Sequence, residues 1–172
     1  FSAAAAENVI VNGLKNRETE IDISSYGLTA AQLKPIYSRI INNNPSLFYV
    51  AGAYRYYYNQ AGTVVKVVPE YLEQYDEASS ARYEAAVNEA LESINGQMDD
   101  VEKALALHDY LVLSCAYEND GQGNYQNYNA YNALVDGEAV CQGYTLAYTE
   151  LLQRAGISVS YATSDAMNHI WN

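Results

Sequence analysis

The pattern of apolar and polar residues divides the chain into segments with the period of a helix and segments with the period of a strand. Apolar residues three or four positions apart predict amphipathic helices, and strict alternation predicts strands. The most regular helical stripe runs from Leu33 to Ile41 and follows Thr29 and Gln32, which have the spacing of a capping box. The whole pattern predicts helices over residues 3–17, 29–41, 77–95, 99–115 and 141–155, and strands over 20–24, 47–50, 53–58, 63–68, 157–163 and 169–171.

This order of elements predicts an α+β fold, in which helices pack on small antiparallel sheets. The polar residues Asn59 to Gly62 are typical of a hairpin loop between two of the strands. Gly96 is placed to end a helix, and we expect a boundary there. The predicted parts are a helical and β-hairpin region over residues 1–96 and a core over residues 97–172.

The predicted helix over residues 99–115 carries one histidine and one cysteine on its apolar stripe. Because His108 falls on this stripe, we expect it to be a core histidine and not a catalytic one. By the same argument, Cys115 is expected to be a buried free thiol and not half of a disulfide. The stripe consists of Val101, Leu105, His108, Val112 and Cys115.

Tyrosine is unusually frequent, with 18 of 172 residues against two Phe and one Trp. Tyr54, Tyr56 and Tyr58 alternate along a predicted strand and therefore share one of its faces. Their rings and hydroxyls could bind a glycan or a peptide. Ordinary half-exposed packing explains such a face as well, and we favour that interpretation.

Charge and residue content exclude several classes of partner. The formal net charge of −12 argues against nucleic acid or an anionic membrane surface, because both select basic faces. No segment has the run of about 18 apolar residues that a membrane-spanning helix needs. The two His and two Cys lack the spacing of a zinc site, and the acidic residues lack the pattern of a calcium loop. We therefore expect no metal and no other cofactor.

The segment around Cys141 has the arrangement of a catalytic thiol. Asp136 and Gly137 predict a tight turn, after which Cys141 takes the first position of a predicted helix. The free N–H groups and the positive dipole end of such a helix stabilise a thiolate. His169 begins a strand after a polar turn, and the path of the chain returns it to the start of that helix. The two residues are therefore predicted to be a nucleophile and its base.

A polar stretch rich in Gly, Asn and Gln, residues 118–129, shortly precedes this segment. Loops of this length beside a site are often functional. The stretch could form one wall of a substrate cleft, or it could be a spacer. Its side chains, together with Tyr131 and Asn132, are the candidates for a second donor to an oxyanion, the first being the backbone N–H of Cys141.

Two motifs resemble a known family. The run G-E-A-V-C-Q-G-Y-x-x-A-Y-x-x-L-L-x-x-A-G-I, which starts at Gly137, and the ending H-I-W-N are similar to the core of the transglutaminase-like superfamily. The resemblance is closest to its bacterial secreted and surface branch, and it implies a papain-like core with Cys141 as nucleophile and His169 as base. The third residue of the family, an Asp on the following strand, has no counterpart before Asn172. We therefore expect the core to be incomplete at its C-terminal end.

The resemblance implies cysteine-dependent acyl transfer or hydrolysis on protein or peptide amides, through a thioester on Cys141 with His169 as base. Without the third residue, this chain could be inactive. The alternative is a non-catalytic surface module that keeps the core as a scaffold and binds a glycan or a protein through the Tyr-rich face. The expected partners are a protein or peptide substrate and a cell-wall or surface glycan or protein. The expected location is extracellular or at the cell surface.

Overall fold

The computed structural model describes residues 3–118 and 128–172. They form two compact units, one that ends at Gln74 and one that begins at Tyr75. Helices and small, mostly antiparallel sheets occur in this chain as predicted, so the α+β class is confirmed. The division into regions 1–96 and 97–172 stays a prediction.

The first unit consists of two helices and one three-stranded antiparallel sheet. The sheet has the strand order β1-β3-β2, which places β2 at one edge. The elements, in chain order, are α1 (Ala3–Lys15), β1 (Ile21–Asp22), α2 (Ala30–Asn43), β2 (Val50–Tyr58) and β3 (Val64–Tyr71).

Helix α2 begins at the predicted capping box. The side-chain oxygen of Thr29 accepts the backbone N–H of Gln32, and the side-chain oxygen of Gln32 accepts the N–H of Thr29 at 3.0 Å. The predicted stripe is confirmed, because the buried side chains of this helix are Leu33, Ile36, Tyr37 and Ile40.

The strands of this unit differ from the prediction at their ends. Residues Pro45–Leu47 form a 3-10 turn, so the predicted separate strand before Val50 is wrong. Strand β3 continues past residue 68 because Tyr71 pairs with Val50 of β2. The hairpin loop is confirmed, since the backbone N–H of Asn59 donates to the carbonyl of Thr63 at 2.9 Å across its base.

In its described residues, the second unit contains three α-helices, a π-helical turn (Asn132–Asp136) and two pairs of short strands. Strands β4 and β5 are parallel, and strands β6 and β7 are antiparallel. The elements are α3 (Glu77–Leu91), α4 (Asp100–Ser114), β4 (Ala116–Tyr117), β5 (Glu138–Ala139), α5 (Cys141–Arg154), β6 (Ala162–Ser164) and β7 (His169–Trp171).

Helix α5 is the central element of the second unit. It contacts α3, α4 and β7, and Cys141 is its first residue, as predicted. Burial of apolar side chains from all three helices builds the core around it. The buried apolar side chains here include Tyr83, Val87 and Ala90 from α3, Leu107 and Leu111 from α4, and Leu146, Ala147, Leu151 and Leu152 from α5.

One carboxylate is buried on α5. Glu150 is only 4% exposed, and Arg154 one turn later donates to it at 2.9 Å while also pairing with Glu84 at 2.7 Å. Burial raises the pKa of Glu150. The guanidinium of Arg154 supplies the partner that a buried carboxylate requires.

Helix α4 buries a different face from the predicted one. Leu107 and Leu111 are buried, whereas Val101 is 76% exposed and Leu105 is 59% exposed. The sequence of α4 offers two apolar stripes, and the stripe that contains Leu107 and Leu111 is the buried one. The predicted burial of His108 is therefore wrong, and its side chain is exposed.

Strand β6 is shorter than the predicted strand over residues 157–163. It consists of Ala162–Ser164, because β7 offers only three residues for pairing. Ser164 lies opposite His169, and the turn between the strands includes Asn168 in the left-handed conformation, with φ 46°. The predicted polar turn before His169 is confirmed.

The five helices span 13 to 15 residues each. Within residues 3–118 and 128–172, none of them combines the length and the apolar character needed to cross a membrane.

Candidate active site

A glycine in the left-handed backbone conformation lies shortly before Cys141 in the chain. Gly137 has φ 73°, a conformation that strains residues with a side chain. A Cβ at this position would also lie 3.3 Å from the carbonyl oxygen of Ser114. The carbonyl of Gly137 accepts the N–H of Ala116 at 2.8 Å, which starts the pairing of β4 with β5. The backbone is therefore held by hydrogen bonds directly before α5.

Cys141 is the first residue of α5 and is half-buried. The preceding residue, Val140, is extended and buried, and its aliphatic side chain offers no acceptor to the first turn. The backbone N–H groups at this end of the helix are the ones that lack carbonyl partners within the helix. They can therefore serve an anion at the Cys141 side chain.

His169 is the first residue of β7 and is exposed. Its ring stacks on the ring of Trp171, two residues further along the same strand face, with centroids 5.7 Å apart and planes at 22°. The stacking restricts the orientation of the imidazole, because rotation would separate the two ring faces.

Two buried threonines join β7 to α5. The hydroxyl of Thr145 lies 3.2 Å from the carbonyl oxygen of Ile170 and 2.9 Å from that of Cys141, so it can donate to either. One helical turn later, the side-chain amide of Asn172 donates to the hydroxyl of Thr149 at 2.9 Å. The strand that carries His169 is thereby attached to the helix that begins with Cys141.

Cys141 and His169 both line two neighbouring clefts, of about 340 and 350 Å³. We call the first the polar cleft, because its further walls carry the side chains of Gln142, Thr163, Ser164, Asp165 and Asn168. We call the second the apolar cleft, because its further walls carry the side chains of Leu111, Val112, Tyr144, Tyr148 and Trp171. The predicted pair therefore lies where the two clefts meet.

Tyr117 also lines both clefts. Its ring stacks on that of Tyr144 at 5.9 Å, with planes at 24°. The hydroxyl of Tyr144 donates to the carbonyl of Cys115. Burial, and after it a hydrogen bond with the side chain of Cys115, raises the pKa of Tyr144. Tyr144 therefore stays neutral at physiological pH.

The second cysteine is a buried free thiol, as predicted. Neither Cys115 nor Cys141 forms a disulfide, and Cys115 is 5% exposed. Burial raises the pKa of the Cys115 thiol, which disfavours its thiolate. The two thiols of the chain thus lie in different surroundings.

Of three other residues that the sequence singles out, His108 shares a cleft with Cys141 and His169, whereas Asn132 and Tyr131 do not. His108 lines the apolar cleft and meets the ring of Tyr148 edge-on, with centroids 6.1 Å apart. The amide of Asn132 donates to Asp136 at 2.9 Å, and Tyr131 accepts from Arg82 at 2.9 Å. Neither Asn132 nor Tyr131 lines either cleft.

The polar loop predicted over residues 118–129 falls mostly outside the described residues, which omit 119–127. Its described end contributes Tyr128 to the polar cleft. In the described part of the chain, no cluster of three or more His, Cys, Asp and Glu side chains is arranged to hold a metal ion.

Sequence reasoning missed the two threonines and the polar wall. Thr145 and Thr149 are spaced by four residues, and this spacing puts both on one side of α5. Hydroxyls on a buried helix face must find hydrogen-bond partners, which is a signal that could have indicated a polar contact to another element. The sequence predicts only a polar turn before His169, and the position of Ser164 and Asp165 on a cleft depends on how β6 and β7 pack.

The family model of the transglutaminase-like superfamily matches residues 86–172, which include Cys141, His169 and most of the second unit. These 87 residues are just over half of the 172-residue chain. No curated protein matches the chain significantly.

Proposed function

Because the chain belongs to the transglutaminase-like superfamily, we propose that it is a cysteine enzyme that transfers or hydrolyses acyl groups of protein or peptide amides. The observation that carries this proposal is the position of Cys141 at the start of α5, beside two clefts that His169 also lines. Fold alone would not support it, since one fold hosts many activities. The support lies in the residue types that share these clefts.

In the proposed first step, the thiolate of Cys141 attacks the carbon of a substrate carboxamide. A free thiol is only a few per cent ionised at neutral pH, so the helix N-terminus and a nearby imidazolium have to favour the thiolate. The carbonyl oxygen becomes an oxyanion, and the backbone N–H of Cys141 is in a position typical of an oxyanion donor.

In the proposed second step, the tetrahedral intermediate collapses to a thioester. The imidazolium of His169 gives its proton to the departing nitrogen, which leaves as ammonia or as an amine. The neutral imidazole then takes a proton from water or from an acceptor amine, which attacks the thioester and releases the thiolate. Water gives hydrolysis, and an amine gives transfer.

His169 needs a fixed orientation for both proton transfers. Among the described contacts, the stack with Trp171 and the attachment of β7 through Thr145 and Thr149 restrain this residue. We propose that they contribute to the orientation that a carboxylate supplies in a complete triad.

Ammonia release and amine incorporation test this function directly. The purified chain is incubated with a glutamine-containing protein such as casein and a fluorescent primary amine. We expect release of ammonia, with or without labelled protein, and a thioester adduct on Cys141 detected by mass spectrometry. The Cys141→Ala variant should lose all three signals, and His169→Ala should reduce them by about 10²- to 10⁴-fold.

Unchanged ammonia release from Cys141→Ala would overturn the proposal. The matched control is Cys115→Ala, which removes the other thiol and should keep the activity if it folds. We also propose the extracellular or cell-surface location that the resemblance implies, which cell fractionation with an antibody to the chain would test.

A second candidate function is a non-catalytic module that binds a glycan or a protein. It is favoured by the row of tyrosine rings on β2, where Tyr54, Tyr56 and Tyr58 follow one another with centroids 6.4 Å apart. Tyr56 and Tyr58 are exposed, so their faces are open to a ligand. Replacement of both by Ser should abolish binding to a glycan array if this function holds and should leave ammonia release unchanged.

A further inference from the structure

The apolar cleft has a wall that suits one kind of chemical group. Val112 contributes an aliphatic side chain from α4 that is 53% exposed, and Trp171 contributes an indole from β7 that is 39% exposed. Tyr144 and Tyr148 add aromatic rings from α5. Three elements therefore present carbon surface to the same space.

The hydroxyl groups of these two tyrosines already form hydrogen bonds within the protein. The hydroxyl of Tyr148 donates to the carbonyl of Ala104 at 2.9 Å, and the hydroxyl of Tyr144 donates to the carbonyl of Cys115. Since each hydroxyl has one proton to donate, these two tyrosines offer a ligand mainly their rings, and the polar lining of the cleft comes from residues such as His108, His169 and Asn172. The only described hydroxyl-bearing aliphatic residue of this wall, Thr145, donates its one proton to the backbone carbonyl of Cys141 or to that of Ile170.

The polar cleft has a mixed lining, because apolar and aromatic residues line it together with polar ones. Its wall carries hydroxyl groups of Thr163 and Ser164, the amide of Asn168 and the carboxylate of Asp165. A substrate whose amide carbon lies at Cys141 extends into both clefts, so its two sides meet different surroundings. Water or an amine can form hydrogen bonds with the polar groups of the polar cleft, whereas the carbon surface of the apolar cleft offers none.

We propose that the apolar cleft is a substrate subsite that binds an aromatic or branched aliphatic group next to the reacting carbonyl. This inference rests on the proposed function, because Cys141 and His169 form part of the same cleft. Because the apolar cleft is continuous with the Cys141 thiol, the group that it binds is identified as part of the substrate. The cleft volume of about 350 Å³ is at the lower end of the range for ligand sites, which fits a single bulky side chain.

Alkylation rates of Cys141 with matched reagents test the subsite. The reagents are iodoacetamide, N-benzyl iodoacetamide and N-(2-hydroxyethyl) iodoacetamide, and each rate is divided by the rate of the same reagent with glutathione. We expect the benzyl reagent to react at least about tenfold faster than the hydroxyethyl reagent, since contact of one apolar group with such a pocket is worth about that factor or more.

Val112→Asn should reduce this preference to nearly one, because it places an amide in the apolar wall. The matched control is Leu105→Asn on the same helix, which is similarly exposed and lies outside both clefts. Val112 is more than half exposed, so the substitution should not prevent folding, which circular dichroism would check.

The outcomes separate the subsite from the function. A benzyl preference that persists in Val112→Asn, or that is absent from the wild-type chain, would overturn the subsite. Slow iodoacetamide labelling that is indifferent to His169→Ala would instead overturn the proposed function. Fast and His169-dependent labelling without a benzyl preference would therefore leave the enzyme proposal intact and remove only the subsite.

Discussion

The hydroxyl of Thr145 lies 3.2 Å from the carbonyl oxygen of Ile170, which joins the helix of Cys141 to the strand of His169. Thr145 is only 4% exposed. A hydrogen bond at a buried site costs more to break than a surface one, because the carbonyl is left without a partner. This contact is therefore suited to hold the two candidate catalytic residues in register.

Thr145→Val should weaken that attachment. We expect the unfolding free energy to fall by about 1–2 kcal/mol, and the His169-dependent part of Cys141 labelling to fall by about tenfold. The measurements are denaturant unfolding and alkylation rates with and without the His169→Ala substitution.

Thr145→Ser is the conservative control, because it keeps the hydroxyl and removes only a methyl group. It should recover most of the labelling rate. Valine keeps the methyl group and lacks only the hydroxyl, so a wild-type labelling rate in Thr145→Val would show that the hydrogen bond does not hold the two residues in register.

The two thiols should react at very different rates. Cys141 lies half-buried at a helix N-terminus, whereas Cys115 is buried and has a raised pKa. We expect iodoacetamide at pH 7 to modify Cys141 at least about tenfold faster than Cys115, because only the thiolate is nucleophilic. Peptide mapping by mass spectrometry after timed quenching gives both rates from one sample.

Denaturation provides the control for this comparison, since it exposes both thiols to the same solvent. In urea the two rates should become similar. Equal rates in the folded chain would show that Cys141 has no advantage from its position.

Gly137→Ala should displace the start of α5. The substitution introduces left-handed strain and a contact 3.3 Å from the carbonyl of Ser114, and we expect a loss of about 2 kcal/mol in unfolding free energy. Gly156→Ala is the matched control, because Gly156 has φ 79° and open space around its Cβ position. It should lose about 1 kcal/mol and keep the labelling rate of Cys141.

Both variants are compared by urea unfolding and by Cys141 alkylation. The idea that Gly137 sets the position of the thiol fails if both variants alkylate at the wild-type rate.

Arg154→Met should leave Glu150 buried without its cation. We expect a loss of about 3 kcal/mol in unfolding free energy at pH 7, measured by urea denaturation. Burial raises the pKa of Glu150 in the folded state above its pKa in the unfolded state. At a pH above the folded-state pKa, ionised Glu150 therefore lowers the stability of the fold. This cost decreases as the pH falls towards the unfolded-state pKa. The loss should therefore be smaller at pH 5 than at pH 7.

The control for this prediction is the pair of variants Glu150→Gln and Glu150→Gln with Arg154→Met. Without a carboxylate to protonate, the cost of losing Arg154 should no longer depend on pH between 5 and 7. A cost that changed with pH to the same extent in the Glu150→Gln background would assign the effect to other groups, such as Glu84.

The sequence predicted the parts of the fold and of the site that depend on local geometry. The capping box at Thr29, the turn at Gly137 and the helix start at Cys141 follow from residues close together in the chain, where backbone conformation is decided by neighbours. His169 at the start of a short strand follows from a turn signal of the same kind.

Helix α4 shows what local pattern cannot decide. Its sequence carries apolar residues on two faces, so periodicity alone leaves the choice of buried face to the partner helix. Packing in the second unit buries Leu107 and Leu111, and His108 remains exposed beside Tyr148 of α5. The walls of the two clefts depend on the same packing, which is why the sequence indicated the dyad and not its surroundings.

Trp171 is the single tryptophan of the chain, and its indole stacks on the imidazole of His169. Fluorescence that is excited at the red edge of the protein absorption spectrum therefore comes from this one side chain. This emission comes from a side chain in contact with the proposed base. Trp171 also lines the apolar cleft, so we expect a ligand that enters the cleft to change the emission without an attached dye.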